Sequence, residues 1–207
     1  RAPDVALQHP LPDHVELVNY LYGIPSLRRL FLGVGRFPEG EVKPIYASLE
    51  RLVHIACAGS SGFGKSSFLV AVGHQILQAR EQVTPVMMDT QGITFTPFEG
   101  NPRLCYPLVS SETDIELVLG ELVGEMTRRA SLFSQFRGCA KLTQYNELVA
   151  PEERLPVIPI FFDEFGLVSD NKAISAHIKK LVQGGRKCGL YLIAGAQTWL
   201  ASDISTA

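Results

Sequence analysis

Eight consecutive residues concentrate the chemistry of this 207-residue chain: "GSSGFGKS", at 59–66. They fit G-x-x-x-x-G-K-[ST] and lie between an apolar run at 52–58 and a helical pattern at 65–80, the strand–loop–helix setting in which that spacing has a physical meaning. Gly59, Ser60, Ser61, Gly62, Phe63, Gly64, Lys65, Ser66 and Ser67 form the expected phosphate cradle. The glycines let the backbone curl so that N–H groups point at a phosphate, with the positive end of the following helix behind them. Lys65 would reach the terminal phosphates of a nucleotide, and Ser66 would place its hydroxyl on Mg2+. The plainer alternative is a Gly/Ser turn that matches by accident.

A bound nucleotide is used through a second, acidic element, and two stretches offer one. "DTQG", at 89–92, ends an apolar run as the D-x-x-G of a GTPase switch does, but no guanine-reading N-K-x-D follows, since "DNKA" at 170–173 has the wrong order. ATP is therefore expected to be preferred, or at least accepted as well as GTP, and a GTPase switch is the rival reading. In "VIPIFFDEF", at 157–165, an apolar strand delivers Asp163 and Glu164 at its carboxyl end, where open α/β sheets bind their ligands. Asp163 would hold the Mg2+, through water, and Glu164 would orient and deprotonate an attacking water. A kinase does not need that base, because its nucleophile is a substrate hydroxyl, so the pair indicates hydrolysis. The alternative is an acidic strand end capped by the next turn. Pro159 lacks an N–H, so strand pairing is expected to begin at Ile160.

Two further polar residues stand where such a site could use them. Gln197 closes the apolar run of "YLIAGAQT", where an amide can sense a γ-phosphate or position water, or be satisfied within its own loop. Arg186, in "QGGRKCG", falls at the end of a helix running from about Asn171. An arginine there is either a solvated C-terminal cation or a finger inserted into a neighbouring subunit's site.

These groups need a scaffold that gathers strand ends, and the chain pattern provides one. Runs at 52–58, 85–89, 158–163 and 190–196 are near-continuously apolar, as parallel strands covered on both faces must be. Helical segments intervene. In the clearest, from Glu112 to about Phe136, Ile115, Val118, Leu119, Leu122 and Met126 share one face, behind Ser111 with Asp114 as a capping-box variant. The expectation is an α/β fold with a mostly parallel sheet flanked by helices. Upstream, "FPEG" between short apolar runs predicts a β-hairpin at about 31–48. Residues 1–30, punctuated by proline and with a helical patch at 15–22, read as an arm packed on the domain.

Composition bounds the rest. With 46% apolar residues, 207 residues suffice for one well-buried core but not for two full domains. A net charge of −2 gives no basic footprint of the kind a simple nucleic-acid-binding domain carries. Cys57, Cys105, Cys139 and Cys188 stand far apart, without CxxC or a histidine at ligand spacing, and read as reduced cytosolic thiols. No run of about 18 apolar residues and no charged-then-apolar start occurs, so neither a bilayer span nor a secretory signal is expected within this chain. Starting on Arg1 and stopping on "DISTA", it reads as a piece of something longer.

From about Leu32 onward the chain resembles the motor domain of FtsK/SpoIIIE-type DNA translocases, relatives of the HerA and conjugative coupling ATPases. The resemblance is carried by "LERLVHIACAGSSGFGKSS", "PVMMDTQGITFTPFEGNPRL", "EMTRRASLFSQFRGCAKLTQYNELV", "LPVIPIFFDEFGLV" and "GGRKCGLYLIAGAQT", in order and at compatible spacing over roughly 170 residues. It implies a RecA-like P-loop NTPase domain over 31–207, truncated at its C-terminal end. It also implies ATP and Mg2+ as cofactors, Walker A and Walker B roles for Lys65, Ser66, Asp163 and Glu164, Gln197 as sensor, and Arg186 as the trans-acting finger of a homo-hexameric ring. The implied cargo is double-stranded DNA, as in chromosome segregation. The implied location is cytoplasmic, with any membrane anchor outside this chain. Secretion ATPases of the same superfamily move proteins instead, and a nucleotide-gated assembly protein with little turnover is a third reading.

Three departures stand out. The family's Pro-Lys after the first acidic strand is Thr90-Gln91 here, its Arg-Pro past the sensor is Thr198-Trp199, and its last strands and DNA-touching pore loops would fall beyond Ala207. Arg128, Arg129, Arg137, Lys141, Lys179 and Lys180 read as solvated helix-surface cations rather than DNA contacts. His54 and His74 read as hydrogen-bonded packing residues, and Trp199 as a packing anchor.

Overall fold

The computed structural model describes residues 12, 14–21, 23–60, 62–168 and 170–197. Ser61, Thr198 and Trp199, singled out above, lie outside the described residues, as does residues 1–11 of the arm. In chain order the elements are β1 (Leu30–Arg36), β2 (Val42–Ala47), α1 (Leu49–Leu52), β3 (Ile55–Ala58), α2 (Lys65–Leu77), β4 (Val86–Asp89), α3 (Glu112–Ser134), α4 (Leu142–Leu148), β5 (Ile158–Asp163), α5 (Lys172–Cys188) and β6 (Leu190–Ala196). Four strands lie side by side in the order β3-β6-β5-β4, every pair parallel. All four carboxyl ends therefore share one edge, and the loops that follow β3, β4, β5 and β6 meet there.

Alternation across the sheet divides the core in two. Ile158, Ile160 and Phe162 of β5, with Leu190, Leu192 and Ala194 of β6, face α3 and α5. Phe161, Tyr191 and Ile193 face the opposite way, onto Leu69, Val72 and Ile76 of α2. Strands covered on both sides read as unbroken apolar runs, which is why β5 and β6 are visible in the sequence at their full extent.

The hairpin is antiparallel, with β1 and β2 joined at 37–41 and a register shift between Phe31 and Gly33. It docks on α2 through a side chain that imitates a strand. The fully buried Gln75 accepts the Phe31 N–H (2.8 Å) and donates to the Phe31 carbonyl (3.0 Å). Tyr20, in a short 3-10 turn, stacks on Phe31 at 4.5 Å.

A second set of side chains ties α3 and α4 to the lead-in of β5. Arg129 is 1% exposed; its guanidinium donates to Glu125 (2.7 Å) and to the carbonyls of Pro156 (2.7 Å) and Cys188 (2.9 Å). Asn146 exchanges two 2.9 Å bonds with the backbone of Leu155. Residues 155–156 are thereby held on both sides just before β5 begins.

Several expectations change. The strand expected at 52–58 begins at Ile55, because Ser48 caps the short α1 by accepting the Arg51 N–H, and Val53 leaves it with a φ of 66°. The helix expected at 65–80 stops at Leu77, where Arg103 donates to the Leu77 and Ala79 carbonyls. The patch at 15–22 is a four-residue 3-10 turn, Leu17–Tyr20. Pro159 lies inside the paired part of β5, opposite Tyr191 of β6. The N–H of Val157 points to Gln82, that of Ile158 to Gly189, so the missing one at 159 falls on the β4 side, where the ladder starts only at Ile160. Arg129 is no surface cation; it continues the buried stripe of α3 between Leu122 and Phe133.

Candidate active site

The phosphate loop starts from β3, whose last residue pairs with Ala196, while the Gly59 N–H reaches the Ala196 carbonyl at 3.4 Å. Gly62 (φ 84°) and Gly64 (φ 80°) both take the left-handed conformation, and Gly64 is the N-cap of α2. An added Cβ would meet nothing within 4 Å at either, so backbone geometry, not lack of room, demands glycine. Phe63 between them is 83% exposed. The first turn of α2 then turns Lys65 inward, leaving it 9% exposed.

β5 presents its acidic pair to this turn. Asp163 is buried; its Oδ2 accepts the Ser66 hydroxyl at 2.7 Å and its Oδ1 accepts the Glu164 N–H at 3.0 Å. Glu164 leaves the strand with a φ of 55°, a strained conformation for a residue with a side chain. Its carboxylate meets the Lys65 ammonium at 2.6 Å, in a pair with side chains only 6% and 13% exposed. Residues 99 positions apart in sequence thus converge: the cation expected at a terminal phosphate neutralises the expected base.

Gly195 of β6 forms the floor. A Cβ there would come within 2.9 Å of Asp163 Oδ1, 3.1 Å of Leu69 and 3.3 Å of the Lys65 stem. A glycine inside an apolar strand is the signal for such close approach. Gln197 follows directly, exposed at the end of β6 beside the loop.

Asp89, read as a possible switch residue, has another task. Its Oδ2 accepts the Ile93 and Thr94 N–H groups (2.7 Å each), its Oδ1 the Gln91 N–H (2.9 Å), and it is 4% exposed. It organises its own loop. That loop brings the Thr94 hydroxyl to Asp163 Oδ2 at 2.8 Å, a contact no spacing in the sequence announced.

Arg186 stands elsewhere. It is exposed in the last turn of α5, which enters β6 at the amino-terminal edge of the sheet. A seven-residue strand separates it from the phosphate-loop edge, on the order of 20 Å.

The donor set suits Mg2+. Among the described residues no group of three or more His, Cys, Asp or Glu side chains could hold a metal by itself. Mg2+ asks for less, since it is held by one or two protein oxygens together with waters and substrate phosphates. Ser66 and Asp163, side by side below a glycine cradle, would hold it. Cys57, on β3 nearby, has its thiol pushed up to about 11 by burial and then by the Asp163 charge, so it is inert.

A sequence model described as the FtsK/SpoIIIE family matches residues 28–162. The DNA translocase FtsK of Halalkalibacterium halodurans is 27% identical over 225 residues, covering 95% of this chain and 28% of the relative. The chain thus spans little more than a quarter of that protein's length. Among solved structures, the pCW3 conjugation coupling protein TcpA with ATPγS aligns with a TM-score of 0.73 at 22% identity, over 94% of this chain and 54% of TcpA. EccC (ATPases 2 and 3) of Thermomonospora curvata, in complex with a signal sequence peptide, aligns at 0.74 and 19% identity, over 89% and 35%. The fold is that of RecA-like P-loop ATPases.

Proposed function

This chain belongs to the FtsK/SpoIIIE family, and from that premise we propose that it is the ATP-hydrolysing core of a cytoplasmic ring motor that moves double-stranded DNA. The observation that carries the proposal is the convergence of Lys65, Ser66, Asp163 and Glu164 on one edge of the sheet. We assign residues 1–30 to an arm and 31–207 to the ATPase domain.

The terminal phosphates of ATP would draw Lys65 away from Glu164, because a multiply charged phosphate is the stronger partner for an ammonium. Glu164 is then free to accept a proton from the attacking water. The strained backbone at 164 aims that carboxylate into the site before substrate arrives. Mg2+, when bound at Ser66 and Asp163, supplies charge neutralisation between the phosphates. Gln197 senses the γ-phosphate from the end of β6. Arg186 cannot reach its own loop, and its exposure at the far edge of the sheet suits a finger offered to the next subunit of a hexamer.

One observation favours a second cargo. A protein of this fold has been solved with a signal sequence peptide, and the chain, with a net charge of −2, carries no basic footprint. The deciding experiment measures ATP hydrolysis by the full-length protein with and without double-stranded DNA. DNA stimulation is expected, and mixing Arg186→Ala with Lys65→Ala subunits should recover part of it at mixed interfaces. Stimulation by a secreted protein substrate but not by DNA would support the second cargo. Absence of recovery in mixed rings would remove Arg186 from the site.

A further inference from the structure

We infer that Thr94 is a positioning residue for Mg2+, acting through Asp163. The inference rests on the ATP reading above. Asp163 Oδ2 accepts two hydroxyls, from Ser66 at 2.7 Å and from Thr94 at 2.8 Å. The two donors are not equivalent. Ser66 is itself the expected metal ligand, so its oxygen has a second claim on it, whereas the Thr94 hydroxyl has no such claim and, among the described residues, bonds the carboxylate alone.

Thr94 is also fixed from behind. Its N–H donates to Asp89 Oδ2 at 2.7 Å, and the Ile93 and Gln91 N–H groups bind the same carboxylate. Asp89 ends β4 directly opposite Asp163 at the end of β5. The loop carrying Thr94 is thus anchored on the neighbouring strand at the same height as the carboxylate that it serves. Thr94 lines one groove with Ser66 and Ser67 of the first turn of α2, and it shares Asp163 Oδ2 with the Ser66 hydroxyl. Hydrogen bonds that orient a ligating carboxylate are worth roughly 10–100-fold in metal affinity.

The test uses the full-length protein and a fluorescent ATP analogue, titrated with MgCl2 and, separately, in EDTA. Thr94→Val keeps the branched shape and removes the hydroxyl; it should raise the Mg2+ concentration for half-maximal binding about tenfold and leave affinity in EDTA unchanged. Thr94→Ala should give the same shift without the extra methyl. Thr94→Ser should restore the wild-type midpoint. Thr96→Val, which removes an exposed hydroxyl bonded to the Ile93 carbonyl in the same loop, should leave it in place. An unchanged Mg2+ midpoint in Thr94→Val, an equal loss of affinity in EDTA, or no recovery in Thr94→Ser overturns the inference while the ATP reading stands. A wild-type protein that binds no nucleotide in Mg2+ overturns both.

Discussion

The phosphate loop with its acidic strand end and the Arg129–Asn146 clamp on the lead-in to β5 both contain charged and amide side chains, and they use them in opposite ways. At the clamp, Arg129 and Asn146 are spent entirely on backbone groups and Glu125. At the site, the Lys65 and Glu164 side chains pair with each other among the described residues, beside a strained backbone. The first arrangement is complete without a ligand; the second, under the proposed function, is a pairing that the phosphates of a nucleotide would exchange. Both lie along β5, one before its first residue and one after its last. Buried polar side chains that terminate on backbone build a fold, and those that terminate on one another leave chemistry available.

Substitution on each side should therefore fail differently. Glu164→Gln is expected to retain ATP, since the amide keeps the shape, and to lose hydrolysis by about 10²–10⁴-fold, with little change in melting temperature. Turnover within a fewfold of wild type would mean that another group activates the water. Arg129→Met leaves the Pro156 and Cys188 carbonyls and part of Glu125 without their donor, at a cost of about 3 kcal/mol. The melting temperature should fall by roughly 6–12 °C, while nucleotide affinity of the protein that stays folded changes little. A normal melting temperature with lost hydrolysis would place Arg129 in the chemistry and erase the contrast.

The smallest effect belongs to His54, just ahead of β3 at the end of that strand away from the loop. Its Nδ1 accepts the Leu192 N–H at 3.0 Å and its Nε2 bonds the Val182 carbonyl at 3.1 Å. Burial, opposed by the Val182 bond and aided by the nearby Arg186 charge, holds its pKa below the usual histidine value. Below about pH 6.5 the unfolded chain binds a proton that the folded chain refuses, so His54 contributes fully above that pH and its contribution shrinks as pH falls toward the folded pKa. From pH 7.5 to 5.5 the melting temperature should drop further in the wild type than in His54→Asn. Equal drops in the two proteins would show that His54 does not titrate across that interval.

Much of this was legible in advance, for identifiable reasons. The loop, the acidic pair and the bounds of β5 and β6 follow from strict spacing and from unbroken apolar runs. Arg129 misleads because a charge on a helix suggests solvent, although Leu122, Met126, Arg129 and Phe133 keep the spacing of one helical face, which puts it on the buried stripe. The helix α4 escaped notice because seven residues with only Leu142 and Tyr145 buried show no periodicity. Thr94 left no trace because its contact with Asp163 spans 69 residues and depends on the shape of a loop. Sequence patterns report faces and short-range order; contacts between loops on neighbouring strands arise only once the sheet has formed.

His54 also acts as a ruler. β3 has four residues, and the last three, Ala-Cys-Ala, carry little to distinguish one alignment with β6 from the next. The imidazole just ahead of it supplies an extra rung that only one alignment can satisfy, with Leu192 on one side and Val182 on the other. A slip of one residue would carry the phosphate loop about 3.3 Å along the strand, more than the 2.7 Å bond between Ser66 and Asp163 could span. The edge strand that bears the loop is thus denied its nearest misfolded neighbour by a side chain that never touches the nucleotide site.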